Sequence, residues 1–187
     1  MQVKKIIGAI LVTGLLISSQ AMAASYVIDK KGQHAFVTFK ASHLGYSYII
    51  GRFNDFSGEF KHDASNPGAS EVSVTINAQS IDTNHAERDK HLRSEEFFDV
   101  SKYPTITFAS SAYQSMADSD KLIGDLTIRG VTKKVEIDVK QIGEGKDPWG
   151  GYRSGFQGDI MLKASDYGMP DWVGDVEIEL IVEGIRQ

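Results

Sequence analysis

The 187-residue chain carries 25 acidic against 20 basic side chains, a formal net charge of −5, and no cysteine. An acidic balance with no basic stripe excludes a nucleic-acid partner, and the missing thiols exclude a disulfide framework and thiolate metal sites. The length suits one domain with a substantial core.

Lys4 and Lys5 form a positive start, followed by the uncharged run IIGAILVTGLLI and the small-residue site Ala21-Met22-Ala23. This order predicts a secretory leader cleaved after Ala23. The run falls short of the roughly 20 apolar residues that a membrane span needs. Residues 24–187 are then one exported domain, expected in the periplasm. No cofactor is expected.

Period-two patterns follow. In HAFVTFKASH, Ala35, Val37, Phe39 and Ala41 share a face; in EVSVTIN, Val72, Val74 and Ile76 oppose Ser73, Thr75 and Asn77. KVEIDVK sets Val135, Ile137 and Val139 against charged residues, and VEIELIVEG does the same with Val176, Ile178, Leu180 and Val182. Such alternation predicts antiparallel strands with one apolar and one wet face. Further strands are predicted over 48–60, 104–113, 121–129 and 154–163, with turns at Asn66-Pro67-Gly68 and Arg129-Gly130. Glycines 51, 58, 124 and 158 mark bends inside or beside them. The fold class is all-β. About eight strands hide their edges best by closing into an antiparallel barrel, whose interior is filled by side chains or holds one small ligand.

The stretch NHAERDKHLRSEEFF, residues 84–98, departs from this pattern. A short helix is predicted, with Asn84 as N-cap and Glu87 completing a capping box. On a helix His85 and Asp89 share one direction and Glu87 and His91 another, about 200° away, so the four do not converge on one ion. Leu92 shares the face of His85, Arg88 and Asp89, and Phe97 and Phe98 extend it. The segment reads as a flap docked over a barrel end. No catalytic and no metal residues are assigned. A metal-dependent or acid–base enzyme built on His85, Asp89 and His91 stands as the alternative, and an outer-membrane barrel as another. The pairs Asp159/Asp166 and Glu177/Glu179 are weak candidates, because 177 and 179 alternate with apolar residues and face solvent. Gly-x-Ser-x-Gly, P-loop and His-Glu-x-x-His patterns are absent. Trp149 and Trp172 are expected to pack at the rim.

Six stretches carry a resemblance: HLGYS (43–47), GRFNDFSG (51–58), SIDTNHAERDKHLRSEEFFD (80–99), YPTITF (103–108), GDLTIRGVTK (124–133) and GGYRSGF (150–156). Together, in this order, they resemble the YceI family of exported lipid-binding proteins. The resemblance implies a lipocalin-like barrel whose apolar pore takes a long-chain lipid, notably a polyisoprenoid, without established catalysis. Two departures stand out. Many relatives have Pro where this chain has Lys134, and many have Arg where this chain has Ala164, before Ser165-Asp166-Tyr167-Gly168. On this reading Val37, Phe39, Ala41, Phe53, Val74, Ile76, Phe108, Leu126, Ile128, Ile137, Val139, Phe156, Ile178 and Leu180 line the pore. His43, Arg88 and His91 are the head-group candidates. Transient membrane contact and a homodimer stay open.

Overall fold

The computed structural model describes residues 23–187 apart from Gln33 and Asp118, so all of the expected leader except Ala23 lies outside the described residues. Eleven strand segments build eight staves of one closed antiparallel barrel. Segments β1 (Ala24–Ile28) and β2 (Phe36–His43) form the first stave, β3 (Ser47–Phe53) and β4 (Phe56–His62) the second, and β5 (Glu71–Asn77) and β6 (Ile81–Asp82) the third. Then follow β7 (Thr105–Gln114), β8 (Asp120–Ile128), β9 (Val131–Lys146), β10 (Tyr152–Lys163) and β11 (Asp175–Arg186). Each stave pairs with the next in sequence. The last, β11, closes the ring on both halves of the first, with Ile178 opposite Phe39 and Val27 opposite Ile185.

The expected continuous strand over 48–60 is broken at Asn54-Asp55, and the flanking staves break beside it, at 29–35 and 78–80. The three breaks form a crease that polar side chains stitch together. Asn77 donates its backbone N–H to Asp55 O at 2.8 Å and its amide to Asp55 Oδ2 at 3.0 Å. Asn54 N–H reaches Ser80 O at 3.1 Å, and Lys30 pairs with Asp55. Bulges between Gly155 and Phe156 and between Ser110 and Ala112 re-aim the later staves. The β8–β9 hairpin turns on Arg129 and Gly130, both left-handed (φ 51° and 73°), the two-residue geometry that follows the twist of the sheet.

Period two brings the apolar rows inside. Aromatic rings gain room there from inward glycines: Gly51 lies under the Phe39 ring and Gly184 under that of Phe60, and a Cβ on either would collide with the ring. Tyr26 stacks on Phe60 at 4.8 Å, and Phe156 meets Phe60 edge-on at 5.5 Å.

The helix is shorter than the segment predicted for it: α1 spans Ala86–Leu92. Its N-cap is His85, whose Nδ1 accepts from Arg88 N at 3.2 Å. Asn84 instead sits in the left-handed region (φ 59°) and gives its N–H to Asp82 Oδ1 at 2.9 Å, so the expected Asn84–Glu87 capping box does not form.

Candidate functional site

The barrel encloses a cavity of about 490 Å³, within the roughly 300–1,000 Å³ usual for small-molecule sites. All fourteen residues predicted to line a pore border it, as do His43, Arg88 and His91. The accessibility of the inward rows shows that space is left over. Phe39, Val74, Ile76, Ile178 and Leu180 point inward yet are only partly buried, whereas Val37, Phe53, Ile106 and Ile137 are buried. A filled barrel would bury both sets. Charged residues occupy the outer face, with Lys40 Nζ 2.6 Å from Glu177 and Lys121 Nζ 2.5 Å from Asp138. Apolar inside and charged outside reverses the pattern of an outer-membrane barrel.

The mouth lies between the β2–β3 hairpin, α1 and the 3-10 turns Ala164–Tyr167 and Asp171–Val173. Strong polar contacts hold the flap there. Buried Asp89 accepts from Thr83 N at 2.8 Å and from Thr83 Oγ1 at 2.5 Å. Arg88 donates through Nε to Thr83 Oγ1 at 2.7 Å and through a terminal nitrogen to Thr83 O at 2.8 Å. Arg93 donates to Gln79 O and Ile81 O, and Arg129 ties Glu95 O to the turn at Gly168. His91 Nε2 lies 2.8 Å from Glu96 Oε2. Phe98 meets Phe53 edge-on, and Phe97 meets both His91 and Trp172. His85, Asp89 and His91 thus cap, anchor and pair within the flap. Asp89→Ala is expected to lower stability by about 1–3 kcal/mol, since Thr83 loses its buried acceptor. A urea midpoint unchanged from the parent would contradict this.

Among the described residues, one group of three ligand-type side chains converges, Asp29, His34 and Glu183. It lies outside the cavity wall, and the Arg153 guanidinium already occupies it. Arg153 is 2.6 Å from Asp29 Oδ2, in contact with Glu183, and 2.9 Å from Asp147 Oδ2. Its hydrogen bond, with the Gly32 N–H, holds Asp29 below the usual carboxylate range. Asp147 is lowered first by the Gly151 N–H and then by Arg153. The two carboxylate pairs do not assemble a centre either. Glu177 is taken by Lys40, Asp166 lies 3.7 Å from Lys133, and Asp159 accepts from Gln157.

A family model described as the YceI-like domain matches residues 26–184. The chain belongs to the YceI-like family. A UPF0312 protein of Ectopseudomonas mendocina is 55% identical over 98% of this chain and 99% of its own. The YceI protein of Campylobacter jejuni, a solved structure, superposes with a TM-score of 0.70 at 30% identity, covering 78% of this chain and 90% of that one. A polyisoprenoid binding domain from Saccharophagus degradans superposes at 0.63 with 16% identity, covering 88% and 99%.

Other lining residues of this YceI-like barrel were not assigned to the pore from sequence. Ile28, Ile49, Phe56, Phe60 and Val72 continue the inward rows, so the period-two signal extends to them. Ala164, Tyr167 and Trp172 come from 3-10 turns and Met169 from the bend between them, and they carry no such signal. Burial, with Asp166 nearby, pushes the Tyr167 hydroxyl up to about 12. Ala164 is buried against the cavity and brings no charge to it. Trp172 packs on Phe97 at the rim, and Trp149 lies beneath Arg153 at the other end.

Proposed function

We propose that this YceI-like barrel binds and carries a long-chain lipid, a polyisoprenoid or a molecule of similar shape, and catalyses no reaction. One observation carries the reading: an apolar cavity of about 490 Å³ enclosed by staves whose inward side chains stay partly accessible. Each 100 Å² of lipid chain moved from water into it contributes about 2.5 kcal/mol. The fold shared with a domain described as polyisoprenoid binding supports the ligand class. The fourteen lining residues would contact the chain. His43, Arg88 and His91 at the rim would meet whatever part of the lipid reaches solvent, although Arg88 and His91 already spend donors on Thr83 and Glu96. Exposed Leu44, Tyr46 and Trp172 beside the mouth suit transient contact with a membrane surface during loading.

Organic extraction of the natively purified protein, followed by mass spectrometry, tests the reading. A stoichiometric long-chain amphiphile is the expected result, and a lipid-free extract from protein that also refuses added lipid would reject it. The working compartment is proposed to be the periplasm, with residues 24–187 as the mature domain. N-terminal sequencing is expected to begin at Ala24, and a chain beginning at Met1 in the cytoplasm would refute that assignment.

A further inference from the structure

The inward row of β4 reads Phe56, Gly58, Phe60, His62, so the stave ends on a polar ring in an otherwise apolar series. His62 lies opposite Ala24, the first residue of β1, at the end of the barrel away from α1. It is 7% exposed and borders the cavity. Nδ1 has a long contact of 3.4 Å to Ser70 Oγ, whereas Nε2 is buried with no partner among the described residues. The ring stands edge-on to Phe156 at 5.2 Å, and Phe156 in turn is edge-on to Phe60. A buried ring nitrogen without a hydrogen bond is unfavourable, and native interiors rarely leave one so.

We propose that His62 is the docking point for one uncharged oxygen group of the bound lipid, a hydroxyl or a carbonyl. The lipid then lies polar end first, with its chain running toward the flap. This rests on the lipid reading above and adds the chemistry of the group that is recognised. A hydroxyl satisfies either tautomer, because it can donate to Nε2 or accept from it. A carboxylate or phosphate is disfavoured there. Lys61, the adjacent cation, sends its ammonium to Glu71, 2.8 Å away, and a buried anion without a partner is costly. A water would need two to four polar partners, and the one polar side chain in contact with the His62 ring, Ser70, meets it at Nδ1 rather than at Nε2.

The test uses the delipidated mature protein with 1-dodecanol and dodecane as probes, in wild type, His62→Phe and His62→Gln. Comparing the alcohol-to-alkane affinity ratio between proteins cancels the intrinsic difference in probe solubility. The ratio is expected to fall about three- to tenfold in His62→Phe, the worth of one buried hydrogen bond, and to fall less in His62→Gln. In wild type, 1-dodecanol but not dodecane should move the His62 Nε2 resonance, a readout independent of how the variants fold. An unchanged ratio in His62→Phe, or a resonance that ignores the alcohol, overturns the proposal. In that case a water or nothing satisfies His62, and the lipid reading survives if both probes still bind. Failure of wild type to bind either probe overturns both.

Discussion

Ile178→Trp is expected to reduce bound lipid about tenfold while leaving the urea midpoint near that of the parent. Ile178 faces inward from β11, between Phe39 and Ile160 on the neighbouring staves, and remains partly accessible. An indole there extends into open cavity. Displacing on the order of 60 Å² of lipid contact removes about 1.4 kcal/mol, or a factor of ten. Were Ile178 part of a packed core, the same substitution would cost about 1–3 kcal/mol in strain. Lipid by extraction and stability by urea titration therefore separate the two situations. Lower stability with undiminished lipid would remove β11 from the binding wall.

Arg153→Met is expected to destabilise the fold by roughly 2 kcal/mol at neutral pH. The guanidinium is shared by Asp29, Asp147 and Glu183, and the first two side chains are only 4% and 7% accessible. Removing one partner of a buried ion pair commonly costs about 3–5 kcal/mol. The smaller figure reflects screening, since these carboxylates are covered by their own partners close to the surface and His34 beside them is half exposed. The effect should depend on pH. Both aspartates titrate below their ordinary value of 3.8 in the folded protein. The unfolded chain therefore takes up protons first as pH falls, so their contribution is complete above about pH 5 and is lost as pH drops through the folded values. The gap between parent and variant should be widest near pH 7 and shrink below pH 4. A gap independent of pH would show that Arg153 acts by packing alone.

Most of this architecture was legible in the chain because a closed sheet turns period two directly into inside and outside. Val74, Ile137 and Leu180 could be placed on the inner face from their neighbours alone. The crease could not, because Asn54-Asp55 interrupts a run whose apolar residues keep their alternation on either side. The cap of α1 was misplaced by one residue, since Asn84 uses its left-handed freedom to close a turn on Asp82 rather than to start the helix. The 3-10 wall at 164–172 has no period to read. His62 was overlooked although it falls in phase with Phe56 and Phe60; a polar residue in an inward position was itself the signal.

The seam between β11 and the first stave joins residues far apart in sequence, as in the hydrogen bond from Thr38 to the carbonyl of Glu179, while every other seam joins consecutive staves. Neighbouring hairpins can zip early, but this pairing carries the loop-closure entropy of nearly the whole chain, so it is expected to form last and to limit the folding rate. Until the final twelve-residue strand docks, β1, β2 and β10 each present an open edge. A chain shortened before Asp175 would keep those edges permanently and join to other copies of itself through them.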